Sequence, residues 1–193
     1  MNLRTKWKYA KMSATQGGVT FVAMKELRQG KMLEGKNVYI HSINDIDILN
    51  DFSEKIENEG AIITTKRNEA AIFINVINES GINGLKLEEV DSGVTKQLFF
   101  VCQEQKDLLL KRKGGKILNV VMIEDGKNEV MVSIKAGITN MTRGLAIATA
   151  ADGITANTIF VQKSKTTAKV MGDTAVFLLS DCANDILGQV ITL

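Results

Sequence analysis

Residues 133–157 read SIKAGITNMTRGLAIATAADGITAN and give the clearest indication of the fold class. The first part of this stretch belongs to a helix predicted over about 132–150, which the glycine at Gly153 ends. The β-branched and apolar run over 154–161 predicts a strand directly after that glycine. A long helix followed at once by a buried strand is typical of an α/β protein.

The same alternation continues on both sides of this stretch. Further strands are predicted at 38–40, 61–65, 85–87, 116–122 and 189–193. Further helices are predicted from Asn44 or Asp45 to Gly60, from Asn68 to Ser80, from about Leu98 to Gly114, and around 175–179. The pattern predicts a Rossmann-like three-layer α/β sandwich with a mostly parallel sheet of about six strands. We expect 32–193 to form this single domain and 1–31 to be a lead-in whose structure the sequence leaves open.

Composition excludes several classes of partner. The chain is 45% hydrophobic and 24% charged with a formal net charge of +2, which is ordinary for a globular protein and does not indicate nucleic-acid binding. The only histidine is His41, so no metal-ligand spacing exists and we expect no metal. Cys102 and Cys182 are expected to be reduced thiols. The basic start lacks the apolar core of a signal peptide, and no apolar run is long enough to span a membrane, so we expect a soluble cytoplasmic protein.

Three stretches, in a fixed order, carry a resemblance to a known family. They are Leu33-Glu34-Gly35 through Glu59-Gly60-Ala61, Phe99-Phe100-Val101 through Leu118-Asn119, and 133–157 with its continuations at 176–181 and 188–192. Together they resemble the short-chain dehydrogenase/reductase family, most closely its 3-oxoacyl-acyl-carrier-protein reductase branch. The resemblance implies a Rossmann fold that binds a nicotinamide dinucleotide, with a tyrosine and a lysine one helical turn apart as the catalytic pair.

The chain departs from this family at the acid/base position. The resemblance matches the lysine to Lys135, and the tyrosine expected four residues earlier is Met131. A thioether neither donates nor accepts a transferring proton. The chain's two tyrosines, Tyr9 and Tyr39, lie far from this position in sequence. We therefore interpret Lys135 as vestigial.

Two further family residues are replaced as well. The serine near the end of the strand before that helix falls at Val121 or Met122, and the asparagine of the central helix falls near Val94. None of these side chains forms the hydrogen bonds that the family's residues provide.

The dinucleotide turn has also changed. In the family, a glycine-rich turn lets the backbone approach the pyrophosphate at a helix N-terminus. The matching segment, 41–48, reads HSINDIDI and contains no glycine. Asp45 and Asp47 would repel a dianion, and Asn44 or Asp45 is favoured as an ordinary helix cap. We therefore expect no cofactor, or NADP if any dinucleotide binds.

Three residues remain as candidate cofactor contacts. Ser42 lies in the turn itself, and Arg67 follows the second predicted strand, where a basic residue suits a 2′-phosphate. Asp91 follows the third predicted strand, where the family often contacts adenine.

The chain is also shorter than the family. After the third predicted strand the family continues through a helix and a strand ending in an Asn-Asn-Ala-Gly motif, and this unit is predicted to be deleted. An alternative places that strand at 72–75. A parallel crossover usually needs a dozen residues or more, which the few residues after the strand at 61–65 do not supply, so we prefer the deletion.

These observations favour a non-catalytic protein that acts by association. In the resembling family, the central helix and the helix that carries the lysine build subunit interfaces. The partner would be a second copy, as a dimer or tetramer, or a related reductase. Residues such as Leu98, Phe99, Val101 and Leu108 would be core in part and outer surface in part. The alternative hypotheses are an NADP-dependent, oxoacyl-reductase-like oxidoreductase with a rebuilt active site, and a decayed gene product without activity.

Overall fold

The computed structural model of the chain describes residues 31–43, 49–78, 93–123, 129–162 and 164–193. The chain divides into two units, Met1–Lys31 and Met32–Leu193, and the elements below belong to the second. The prediction for 1–31 falls almost entirely outside the described residues.

The described elements alternate between strands and helices. The strands are β1 (Asn37–Ile43), β2 (Ile62–Ile63), β3 (Ile72–Asn78), β4 (Gly115–Ile123), β5 (Ile154–Gln162) and β6 (Val190–Thr192). The helices are α1 (Leu49–Asn58), α2 (Val94–Arg112), α3 (Glu129–Thr149) and α4 (Ala168–Leu179). Short 3₁₀ turns occupy Arg67–Glu69, Ala150–Asp152 and Asp181–Ala183.

The strands form one sheet in the order β2-β1-β3-β4-β5-β6, and every neighbouring pair is parallel. One apolar cluster lies between the sheet and helices α2 and α3, and contains Leu98, Cys102 and Ile138. A second cluster lies on the other face against α1 and α4, and contains Phe52 and Val176. The predicted six-stranded, three-layer α/β fold is therefore confirmed.

The helix predicted over 68–80 is wrong, because most of this segment is strand β3. Residues 72–77 are all buried, since both faces of β3 are covered by helices. A continuous apolar run of this kind does not distinguish a buried strand from a buried helix by its periodicity. The β-branched residues Ile72, Ile74, Val76 and Ile77 are the signal that favours the strand.

The preferred position of the deletion was also wrong, because a short parallel crossover leads from β2 to β3. Val38 of β1 pairs with Ile63 of β2 on one side and with Ile72 of β3 on the other. Since β2 is only two residues long and pairs with the start of β1, the chain need not return along the length of the sheet. It only steps across β1, about 10 Å for two strand spacings. Residues 64–71 are enough for that step, and the backbone amide of Ala71 donates to the carbonyl of Asn37 on the way.

This topology shows which part of a doubly wound sheet the described residues lack. In doubly wound folds with the strand order 3-2-1-4-5-6, strand four lies beside strand one. In this chain β3 lies beside β1 and therefore corresponds to that fourth strand. Within the described ranges, no strand lies beyond β2 at the edge. The strand predicted at 85–87 falls outside the described residues.

Gly115, at the start of β4, is expected to be the least replaceable glycine of the sheet. Its φ is 149°, and a Cβ placed there would lie 2.6 Å from the Ala71 carbonyl oxygen and 2.4 Å from Leu109 Cδ2. Backbone strain and overpacking together should make Gly115→Ala about 3 kcal/mol less stable to chemical denaturation. Gly144→Ala is the control, because its Cβ would meet no atom within 4 Å and helix propensity favours alanine. Equal stability of the two variants in the monomer would contradict the expectation.

Candidate functional site

Met131, which the resemblance matched to the family's acid/base tyrosine, lies in the apolar core. Met131, in the first turns of α3, is only 4% exposed and packs in the cluster between the sheet and helices α2 and α3. Val121 of β4 belongs to the same cluster, whereas Met122 points to the opposite face of the sheet. Val121 is therefore the residue that shares the face of Met131. Neither side chain carries a group that transfers a proton.

Lys135 lies one turn after Met131 and is half-buried. Its Nζ lies 5.7 Å from the centre of the Phe160 ring on β5. A cation over an aromatic face is attracted by the ring's quadrupole, so this contact stabilises the lysine without a substrate or cofactor.

The edge where a dinucleotide would bind is only partly described. In a doubly wound sheet, ligands bind beyond the carboxyl ends of the strands. The segments 44–48, 79–92 and 124–128, which follow β1, β3 and β4, fall outside the described residues. The predictions that concern Asp45, Asp47 and Asp91 therefore fall outside them too.

Ser42 lies within β1 rather than in a turn. The strand extends to Ile43, further than the predicted 38–40, and Ser42 pairs in register with Val76 of β3. The predicted turn therefore begins only after Ile43. The Ser42 side chain is exposed near the carboxyl end of the strand.

Arg67 is held by a carboxylate of the protein itself. Its guanidinium donates to both oxygens of Glu104 on α2, at 2.8 and 2.9 Å, and its Nε donates to the Tyr39 hydroxyl at 3.2 Å. The hydrogen bonds to Tyr39 and to Glu104 raise the pKa of Arg67 above its ordinary value. A 2′-phosphate at this position would have to compete with Glu104. Tyr39, which binds Arg67, lies three residues before Ser42, about 10 Å along the strand. Arg67 and Ser42 therefore would not contact the same group of a bound dinucleotide.

His41, beside this ion pair, should make stability depend on pH. Burial lowers the pKa of its imidazole below the ordinary 6.5, the positive charge of Arg67 lowers it further, and Glu104 opposes both effects. Because the unfolded chain then binds a proton where the folded chain does not, stability should fall as pH drops from about 6.5 to the lowered pKa. Denaturation of the wild type and of His41→Gln across this range measures the effect as their difference.

The single histidine also allows a direct check. The Hε1 resonance of His41 should titrate with a midpoint below 6.5. A midpoint at or above 6.5 would contradict the assignment of burial as the dominant cause.

The end of β3 falls in the segment that was predicted to be a helix, so its sequence was not considered as a strand end. Asn78 is the last residue of β3, and the sequence from 78 to 81 reads NESG. This tetrapeptide shares its first and last residues with the Asn-Asn-Ala-Gly motif that ends the corresponding family strand. The alternative placement of that strand at 72–75 was thus the better one.

The described residues contain neither a metal-binding cluster nor a helix suited to a membrane. In the ranges that the structure describes, no group of three or more histidine, cysteine, aspartate or glutamate residues is placed to hold a metal ion. Among the same residues, no helix combines the length and the apolar character that a membrane crossing requires.

Comparison with solved structures identifies the fold. A proposed NAD(P)-dependent gluconate 5-dehydrogenase from Beutenbergia cavernae, solved with bound NADP at low occupancy, matches with a TM-score of 0.67 and 15% identity over 83% of this chain and 95% of that one. The chain has the fold of a short-chain dehydrogenase. A double-mutant short-chain dehydrogenase/reductase from Serratia marcescens matches with a TM-score of 0.61 and 16% identity over 83% of this chain and 96% of that one.

Sequence comparisons add nothing to this likeness. No protein-family model matches the chain, and no curated protein matches it. At 15% and 16% identity, the two dehydrogenase structures establish the short-chain dehydrogenase fold and leave activity to be argued from the site.

Proposed function

We propose that this chain is a degenerate relative of the 3-oxoacyl-acyl-carrier-protein reductases that has lost dehydrogenase activity and acts by associating with a second copy of itself. The observation that carries the proposal is the burial of Met131 in the core at the acid/base position. Hydride transfer to a carbonyl must be accompanied by a proton from a positioned donor. Met131 and Val121 supply none, and Lys135 is packed over Phe160.

A dinucleotide is not part of the proposed function. The segment after β1 has no glycine in its sequence, and Arg67 is neutralised by Glu104. The neighbour from Beutenbergia cavernae was solved with NADP, which makes NADP the dinucleotide to test first.

The outer surfaces of α2 and α3 support association. Phe99 and Phe100 on α2 are exposed, the latter by 60%, and on α3 Val132 is 64% and Ile147 82% exposed. Clusters of exposed large apolar side chains mark interaction sites more often than ordinary surface. The two helices cover the same side of the sheet and contact each other. We call their most exposed large apolar residues the outer helix face (Phe99, Phe100, Val132 and Ile147).

Small residues on α3 favour a partner that contacts the outer helix face with a helix of its own. Ala136 and Gly144 are exposed between Val132 and Ile147, and their small side chains allow a second helix to approach closely. Val132 and Ile147 are four turns apart, about 22 Å along the helix. A second copy presenting the same face would form a closed, symmetric contact, and a related reductase is the alternative partner.

Two measurements on the purified chain test this proposal. Light scattering across roughly 1–100 μM protein, the range of moderate self-association, should give at least twice the monomer mass of 21.1 kDa. NADPH absorbance should stay constant with a 3-oxoacyl thioester present. A monomer at all concentrations would overturn self-association, and binding to a purified oxoacyl reductase would then identify the alternative partner. Turnover of NADPH would overturn the proposed loss of activity.

A further inference from the structure

A cavity of about 550 Å³ lies at the amino end of the sheet, opposite the edge where a dinucleotide would bind. The starts of β3, β4 and β5 line it at Ile72, Gly115 and Ile154, and residues at and after the turn Asp181–Ala183 line another wall. Its volume is within the range of roughly 300–1,000 Å³ that is typical of small-molecule sites. Asp181 and Asn184 are exposed, so the cavity is open to solvent beside them.

A lysine whose side chain is largely buried lines this cavity. Lys116, the second residue of β4, is 7% exposed, and its Nζ donates to Asn184 Oδ1 at 2.8 Å. Among the residues that the structure describes, no carboxylate lies within 4.0 Å of this Nζ. An ammonium group has three donors, and one neutral amide acceptor does not balance its charge. Burial lowers the pKa of Lys116, against the opposing charge of Asp181.

The charged groups of the lining leave the cavity with one positive charge in excess. Lys36 and Arg112 are the remaining cations of the lining, and Asp181 and Asp185 are its carboxylates. Lys36 is paired with Asp181, its Nζ lying 3.1 Å from the carboxylate oxygen. With Lys116 protonated, three cations face two anions, so a single negative charge on a ligand would balance the site.

Much of the remaining lining is apolar. Ile72, Ile154 and Leu179 line it with side chains that are buried in the core, and its accessible apolar residues are Ala71, Ala150 and Leu187. Burial of a hydrocarbon group against such residues contributes roughly 25 cal/mol per Å². The cavity therefore suits a ligand that is charged at one end only.

We propose that this cavity binds a small monocarboxylate with an apolar body, its carboxylate on Lys116 and its hydrocarbon part against Ala71 and Leu187. Such a site does not depend on the outer helix face or on dinucleotide binding. It would give the chain a ligand even though the family's catalytic tyrosine is missing.

Titration calorimetry with hexanoate on the full chain tests the proposal. Hexanoate should bind, and Lys116→Met should weaken binding roughly tenfold or more, since it removes a hydrogen bond to a charged group. Lys111→Met is the matched control, because this exposed lysine of α2 does not line the cavity and its loss should leave binding unchanged. Hexylamine should not bind. No hexanoate binding at about 10 mM, equal binding to Lys116→Met, or tighter binding of inorganic phosphate would each overturn the proposal.

A second measurement needs no substitution in the cavity. In the wild-type chain with labelled leucine methyl groups, hexanoate should shift the resonances of Leu187. The resonances of Leu110, an exposed residue of α2 that does not line the cavity, should stay in place. Shifts confined to Leu110 would place hexanoate elsewhere and overturn the assignment.

Discussion

Replacing Asn75 with leucine is expected to lower the free energy of unfolding by about 3–5 kcal/mol, because three buried hydrogen-bonding groups would lose their partner. Asn75 is fully buried in β3. Its Nδ2 donates to Gln105 Oε1 and to Asn119 Oδ1, each at 2.9 Å, and its Oδ1 accepts from Gln105 Nε2 at 2.6 Å. Leucine has a similar size, so the loss comes from the unsatisfied groups of Gln105 and Asn119 rather than from a cavity.

Urea denaturation of single and double variants separates this cause from a packing defect. Asn58→Leu, at the exposed end of α1, controls for the substitution itself and should change stability by less than about 0.5 kcal/mol. Gln105→Met removes the other side of the pair, so the double variant Asn75→Leu/Gln105→Met should be more stable than the sum of its single effects predicts. Additive losses in the double variant would show that the hydrogen bonds are not responsible.

The polar pairs extend further across the sheet than any local pattern indicates. Asn75 pairs in register with Asn119, and Asn119 pairs with Thr158 of β5. Thr158 and Thr142 of α3 lie 2.7 Å apart through their hydroxyl oxygens. These contacts join residues that are far apart in sequence. Sequence periodicity reports only neighbours along the chain, so it did not reveal this buried polar row.

The elements that sequence analysis placed well are those with clear ends. The strand predicted at 116–122 is Gly115–Ile123, and the one at 154–161 is Ile154–Gln162. Each begins at or next to a glycine with positive φ, Gly115 or Gly153. No glycine marks the start of the run at Ile72, and from its apolar residues alone the segment was predicted to be a helix instead of β3.

The candidate site was predictable only where one element fixes the spacing. Met131 and Lys135 lie one turn apart on α3, so their relation follows from the sequence. The pairing of Arg67 with Glu104 joins residues 37 positions apart, and that of Lys116 with Asn184 joins residues 68 apart. Both contacts depend on the order of strands in the sheet. The sequence therefore suggested Arg67 as a phosphate ligand without showing the carboxylate that already binds it.

Replacing Ile147 with aspartate is expected to weaken self-association roughly 100-fold or more. Ile147 is the most exposed of the large apolar residues of the described chain and lies on the outer helix face. Burial of an isoleucine contributes about 2–3 kcal/mol to an interface, and an unpaired buried carboxylate adds a desolvation cost. Sedimentation velocity should therefore show a monomer at concentrations where the wild type is associated.

Two further variants show whether the outer helix face is responsible. Val170→Asp places the same charge at an exposed apolar position of α4, on the opposite side of the sheet, and should leave association unchanged. Aspartate near the C-terminus of α3 is also unfavourable for the helix itself, whereas lysine is favourable there. Ile147→Lys should nevertheless weaken association as strongly as Ile147→Asp, because either charge would be buried in an apolar contact. If Ile147→Lys stayed associated, the effect of aspartate would be due to the helix, and α3 would not lie in the interface.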